Sequence, residues 1–333
     1  MDKNTMNKRP GRRLLIILFL SLIMIFLFFF VIIKSHGYDV TFFLVSDLHY
    51  GLSPTVLSAN ERTVEAMNIL PGVPWPENLG GSPVAPPRGV IVLGDLLNDG
   101  ANASADKWWD DFTKDYGVNG EGKLKYPCYE SFGNHDGGES DVVRQGIKER
   151  NKMRPGVTNL SINGINYSWD WDKVHFVHLG LYAGRDGDDF INPWGKHFEG
   201  NWRFPGHSLE FLEQDLAKNV GRSGRPVILL QHYGFDEWGL GWWSEKERQA
   251  FYEVIKNYRV IAIFWGHSHY VQFLPWKGLP TWCVGAGQHD PEPGEFLVVH
   301  LTPKWIMVAE RRAGKVNAWG SIWKINIGTA SLN

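Results

Sequence analysis

The body of the chain alternates short apolar runs with amphipathic stretches, a pattern that predicts an α/β fold. Val40–Val45, Val90–Leu93 and Pro127–Phe132 read as strands. Asn60–Leu70, Ser104–Tyr116 and Asp141–Met153 read as helices, with Ser104 placed to cap its helix. Ile165–Trp171 and Val174–Leu179 form a hairpin pattern around Asp172-Lys173. Further on, Ser208–Lys218 and Ser244–Asn257 are helical, while Val227–Leu230 and Val260–Phe264 are strands. From Gln272 onward the pattern turns β-rich, with strands at Thr281–Val284, Phe296–Leu301 and Trp305–Ala309. Two segments break the alternation. Pro71–Pro87 is rich in proline and glycine, and Gly184–Gly206 in glycine, aspartate and aromatics; both predict long loops of the kind that carry function.

The apolar pattern has one outlier. Leu14–Ile33 contains no charge and a single polar side chain, Ser21. At about 1.5 Å per residue, such a helix spans about 30 Å, the hydrocarbon thickness of a bilayer. The run is longer than a secretory signal core and ends without a small-residue cleavage pattern, so it predicts an uncleaved transmembrane signal anchor over 14–33. Lys8, Arg9, Arg12 and Arg13 precede it, and Lys34 alone follows closely. That asymmetry predicts a cytoplasmic basic tip over 1–13 and a catalytic domain over 38–333 outside the cytoplasm, in a periplasm, at a surface or in a lumen.

Charge then changes its meaning. The whole chain of 333 residues has a net charge of −2. Lys3, Lys8, Arg9, Arg12, Arg13, Lys34 and Asp2 lie in residues 1–35; without those six bases and one acid, 28 bases and 35 acids remain, a net −7. An acidic body predicts no nucleic-acid binding and no general attraction to an anionic lipid surface. The two cysteines, Cys128 and Cys283, exclude a thiolate metal site and a disulfide framework; whether they pair with each other stays open.

Five polar motifs follow the apolar strands: Asp47-Leu48-His49, Gly94-Asp95, Gly133-Asn134-His135-Asp136, His232, and Gly266-His267-Ser268-His269. In parallel sheets the C-terminal strand ends gather along one edge, so residues far apart in sequence converge there. Asp, Asn and imidazole are ligands suited to Zn, Mn or Fe. Asp47/His49 and His267/His269 are pairs two apart, a spacing that points both side chains to one cavity in extended chain.

This ordered set resembles the calcineurin-like metallophosphoesterase family over Phe42–Val284. The resemblance implies a four-layer α/β/β/α sandwich with two divalent metal ions, Mn, Fe or Zn, at the strand ends. It implies Asp47, His49, Asp95 and His269 as ligands of the first metal. The second takes Asp95, Asn134, His232 and His267, with Asp95 shared. His135 becomes the catalytic, non-ligand histidine and Asp136 the group orienting its ring. The reaction implied is hydrolysis of a phosphoester, mono- or diester, by in-line attack of water. The substrate is a small-molecule or lipid phosphoester; a protein phosphatase and a non-catalytic scaffold are the other readings of the same fold. Oligomeric state is open.

Other residues carry weaker expectations. Asn98 and Asp99 have two readings, support of the metal shell or, the simpler one, capping of the next turn, and Tyr50 is placed to line the pocket mouth. His175, His178 and His300 belong to strand patterns, while His197, His207 and His289 lie in loops that substrate can reach. Among the 16 tryptophans, Trp169, Trp171, Trp265 and Trp282 are expected in the core. Trp194, Trp202, Trp238, Trp242 and Trp243 lie in or beside glycine-rich loops, either as packing or as a rim that stacks an aglycone or base or dips into a membrane interface.

Overall fold

The computed structural model describes residues 37–186, 203–314 and 318–328. The expected anchor and basic tip, and Trp194, His197 and Trp202, lie outside these residues. Among the described residues no helix is long and apolar enough to cross a membrane.

Among the described residues, fifteen strands form two large sheets and one small one. In chain order they are β1 (Val40–Val45), β2 (Val90–Leu93), β3 (Cys128–Ser131), β4 (Val157–Leu160), β5 (Tyr167–Trp171), β6 (Val174–His178), β7 (Val227–Leu230), β8 (Val260–Trp265), β9 (Gln272–Phe273), β10 (Thr281–Cys283), β11 (Gln288–His289), β12 (Glu292–Pro293), β13 (Glu295–Leu301), β14 (Trp305–Arg312) and β15 (Trp319–Asn326). The first sheet runs β15-β14-β13-β1-β2-β3 and the second β4-β5-β6-β7-β8-β10-β9. β1, β2 and β3 are mutually parallel, as are β6, β7 and β8. Their residues are buried throughout, which is why they read as continuous apolar runs rather than alternating ones.

The two sheets face each other through aromatic rings. Phe42 on β1 meets Phe176 of β6 at 5.4 Å, edge to face, and Tyr129 on β3 stacks on Trp169 of β5 at 4.5 Å. Such pairs contribute about 0.5–1.5 kcal/mol beyond their buried area. Trp169, Trp171, Trp265 and Trp282 are all core residues, as expected. The cysteines are free, buried thiols, one on each sheet.

Helices connect the strands: α1 (Val56–Ile69), α2 (Ala105–Asp115), α3 (Val142–Met153), α4 (Ser208–Asp215), the single turn α5 (Glu237–Leu240) and α6 (Glu245–Ile255). α6 starts with a reciprocal cap, in which Ser244 accepts from the Glu247 N–H and Glu247 accepts from the Ser244 N–H. Ser104 does occupy the N-cap position of α2, but its hydroxyl makes no cap hydrogen bond; Asn102 accepts from the Ser104 N–H instead. β4 and β15 are absent from the hydrophobic pattern because their residues are largely half-buried or exposed. The result is a mixed α/β fold with two large sheets and helices, whose parallel strands deliver their C-terminal ends to one edge.

Candidate metal centre

The strand ends kink sharply where the chemistry-bearing residues sit. Among the described residues eight non-glycine positions have positive φ, and five are Asp47 (+53°), His49 (+46°), Asp95 (+51°), His267 (+73°) and His269 (+59°). A left-handed non-glycine residue costs on the order of 1–3 kcal/mol and persists only where its surroundings over-determine it. Each kink turns a strand-end side chain into the space between the sheets' edges. Gly133 permits the approach of Asp95: a Cβ there would lie 2.2 Å from Asp95 Oδ1.

The side chains converge in two groups that share one carboxylate. Asp47, His49, Asp95 and His269 place ligand atoms within 4.8 Å of one another, and so do Asp95, His232 and His267. Each carboxylate is split between a structural and an open oxygen. Asp47 Oδ2 accepts from the His267 N–H at 3.0 Å, leaving Oδ1 buried without a hydrogen-bond partner and 3.4 Å from His269 Nε2. Asp95 Oδ1 accepts from the His135 N–H at 2.9 Å, leaving Oδ2 at 3.8 Å from His49 Nε2 and 3.3 Å from His232 Nε2. Asp95 Oδ2 is therefore the atom both groups hold in common.

The imidazoles are oriented in the same manner. His232 Nδ1–H donates to the Leu93 carbonyl at 2.7 Å, which leaves Nε2 as the inward-facing nitrogen, 3.0 Å from Asn134 Oδ1. His49 Nε2 and His269 Nε2 are 3.2 Å apart. Carboxylate oxygens, an amide oxygen and imidazole lone pairs facing one another need cations between them, so this donor set fits divalent metal binding. The field agrees with that reading. Burial opposes the charged form of His232, yet the adjacent Asp95 and the more distant Asp47 hold its pKa up at about 9. Burial, the neighbouring His135 and His269 bring His49 down to about 4, and burial and His232 bring His267 down to about 3. The His269 side chain is 47% exposed and marks the mouth of the site.

His135 is half-buried, its ring edge-to-face with that of His49 at 4.9 Å. Asp136 does not take the expected orienting role. His135 Nδ1–H donates to the Asn98 carbonyl at 2.8 Å, while the Asp136 oxygens accept from the N–H groups of Leu96, Leu97 and Gly133. Asp136 thus ties the ends of β2 and β3 together, because a buried carboxylate takes the backbone donors that a kinked strand end exposes. Asp99 caps its turn as expected, accepting from Ala101 N–H, and Asn98 matters through its carbonyl, which side-chain reasoning could not find. Tyr50 is buried, donating to Asp115 at 2.6 Å, and does not line the mouth. His178 and His175 are buried in β6, and His300 pairs with Asp39. His207 pairs with Asp186 and His289 with Glu295, both at the surface. Of the loop tryptophans, Trp243 is core, Trp242 has its ring 6.0 Å from that of His267, and Trp238 is 60% exposed.

Two residues near the site, Asp236 and Tyr270, carried no sequence signal, and Ser268 entered its motif only as the spacer between two histidines. Asp236 Oδ2 accepts from Ser268 Oγ at 2.6 Å and from the Tyr270 hydroxyl at 3.0 Å, binding the β7 loop to the β8 loop.

Residues 40–271 match the family model described as calcineurin-like phosphoesterase. No curated protein matches the chain. Among solved structures, the chain is similar to a dimetal phosphatase from Danio rerio, with a TM-score of 0.55 at 14% identity, covering 86% of this chain and 99% of that one. It is also similar to GAP50, the anchor in the inner membrane complex of Plasmodium, with a TM-score of 0.54 at 12% identity, covering 86% of this chain and 89% of that one.

Proposed function

The chain belongs to the calcineurin-like phosphoesterase family, and on that premise we propose that it hydrolyses a phosphoester at a two-metal centre held outside the cytoplasm. The observation that carries this reading is the shared oxygen, Asp95 Oδ2, which belongs to both ligand groups. Asp47, His49, Asp95 and His269 would hold one ion; Asp95, Asn134, His232 and His267 would hold the other, in the four-layer α/β/β/α arrangement. Bound divalent ions, Mn, Fe or Zn, supply charge neutralisation on the phosphoryl oxygens and acidify water.

The chain's own residues do the rest. Backbone N–H groups hold the outer oxygens of Asp47 and Asp95, so neither carboxylate has to reorganise on binding. His135 keeps a proton on Nδ1 against the Asn98 carbonyl, which directs Nε2 towards substrate. From Nε2 a proton would pass to the leaving oxygen as the P–O bond breaks, while the water oxygen bonds to phosphorus and the water gives up one of its own protons to solvent. The apolar run Leu14–Ile33, with its basic flank, supports single-pass anchoring with this domain over 38–333 outside, which brings small-molecule and lipid phosphoesters within reach.

The test is hydrolysis of 4-nitrophenyl phosphate and its diester by protein loaded with Mn²⁺ or Zn²⁺. Turnover should vanish with chelator and return with metal. His135→Ala should lower turnover at least about 100-fold with both ions retained. A protein that binds two ions and cleaves neither ester, nor a phosphopeptide, is a scaffold, and the proposal fails.

A further inference from the structure

His267 and His269 flank Ser268, and both stand in the left-handed region. Two such residues one apart make a loop that does not hold its shape unaided. Its inner half is well fixed. Gly266 N–H donates to the His232 carbonyl at 3.0 Å, and His267 N–H to Asp47 at 3.0 Å. In the outer half, which carries the exposed His269, the Ser268 N–H donates to the Gly266 carbonyl at 2.9 Å, and the side-chain grip comes from Asp236.

Asp236 reaches in two directions. Oδ1 accepts from the Gly239 N–H at 2.8 Å and so caps the turn that carries Trp238 and leads to Trp242. Oδ2 accepts from two hydroxyls, Ser268 and Tyr270, one on each side of His269. The residue is 9% exposed, so water competes little for these bonds. We propose that Asp236 is a positioning residue: by gripping Ser268 and Tyr270 it holds His269, and with it the first metal, in place, and it ties that ligand loop to the tryptophan-bearing segment beside the mouth. The inference rests on the two-metal reading above and deepens it. It makes the Trp238–Trp242 segment and the metal loop one mechanical unit, so that what presses on one is felt by the other.

The experiment reads metal binding directly, by titrating the full chain, first stripped of metal, with Mn²⁺ and counting ions. Loss of an outer partner lowers metal affinity by roughly 10–100-fold, so Asp236→Ala should weaken one of the two ions by about tenfold and spare the other. Asp236→Asn keeps an oxygen for Gly239 and an amide for the hydroxyls, and should recover most of that affinity. Because Asp236→Ala also removes a cap, the paired change Ser268→Ala with Tyr270→Phe is the independent arm; it leaves the cap intact and should weaken the same ion. In metal-free protein, amide exchange over residues 266–270 should quicken in both variants. Wild-type affinity for both ions in the Ser268→Ala, Tyr270→Phe protein overturns the proposal even if the enzyme is active. Wild-type protein that binds no metal overturns the two-metal reading itself, and the proposal with it.

Discussion

Two buried charge clusters in this molecule obey opposite rules. Behind β3, Glu130 is enclosed by Arg150 and Arg154, with Nε of Arg150 at 2.7 Å and Nη2 of Arg154 at 2.5 Å. Burial opposes its ionisation, but the two guanidiniums hold its carboxyl well below the usual carboxylate range. Both arginines also lie against aromatic rings, Arg154 4.9 Å from that of Tyr167. Every charge there finds its partner within the chain. At the strand ends, Asp47, Asp95 and Asn134 turn oxygens towards imidazole nitrogens, and Asp47 Oδ1 and Asn134 Nδ2 are buried without a hydrogen-bond partner. A cluster complete in itself stabilises a fold; a cluster of converging acceptors is complete only with something added.

The largest separation between the two comes from neutralising one carboxylate in each. Asp95→Asn should empty both metal positions and cut turnover at least about 10³-fold, or about 4 kcal/mol of transition-state stabilisation. Its stability without metal should change by less than that of the Glu130 variant below, since no buried cation loses its only counter-charge. Metal analysis beside urea unfolding checks both halves. Two ions still bound to Asp95→Asn would remove the shared oxygen from the argument.

Glu130→Gln is the mirror image. It leaves two buried guanidiniums without a counter-charge, which costs about 3–5 kcal/mol where one partner of a buried ion pair is removed. The folded fraction should keep two ions per chain and wild-type turnover per ion. A variant as stable as wild type, or one that loses metal while folded, would show that the two clusters are not independent.

The strand-end cluster was far easier to read in the sequence than the arginine cluster. Asp47, His49, Asp95, Asn134, His232, His267 and His269 were legible because each ends an apolar run, and the parallel order of those runs brings their ends together. Arg150 and Arg154 had no such marker: they lie at the end of a helix, and nothing in the helical pattern says that Glu130, inside a strand, will face them. Asp136 was misread for a related reason. Its neighbour in sequence is His135, but the kinked chain offers it three backbone N–H groups, and the ring goes to the Asn98 carbonyl. Backbone partners and long-range side-chain grips such as Asp236 with Ser268 leave no periodicity to read. β15, half exposed at a sheet edge, was missed because edges bury too little apolar surface to pattern a sequence.

The smallest expected effect tests whether self-sufficient clusters are a class or a single instance. His175 sits at the start of β6, between Asp170 at 2.7 Å and Asp215 at 2.6 Å, and Arg225 also reaches Asp170. Ser168, Asn159 and Asn219 complete the bonding of Asp215. Burial disfavours the imidazolium, but hydrogen bonds to the two carboxylates raise its pKa above the ordinary value of 6.5. Burial likewise opposes both carboxylates, yet His175 lowers them below 3.8. The imidazolium's stabilisation is therefore full below pH 6.5 and is lost as pH rises through the raised folded pKa. That of the carboxylates is full above 3.8 and is lost as pH falls through their lowered values. The cluster should stabilise the fold most between about pH 4 and 6.5, by about 1–3 kcal/mol for hydrogen bonds between charged groups. His175→Gln should lower urea-unfolding stability by that amount at pH 5.5 and by clearly less at pH 9, with metal content unchanged at either. A difference equal at both pH values would mean that His175 is held there as a neutral ring, and Glu130 with its two arginines would then stand alone as the cluster complete in itself.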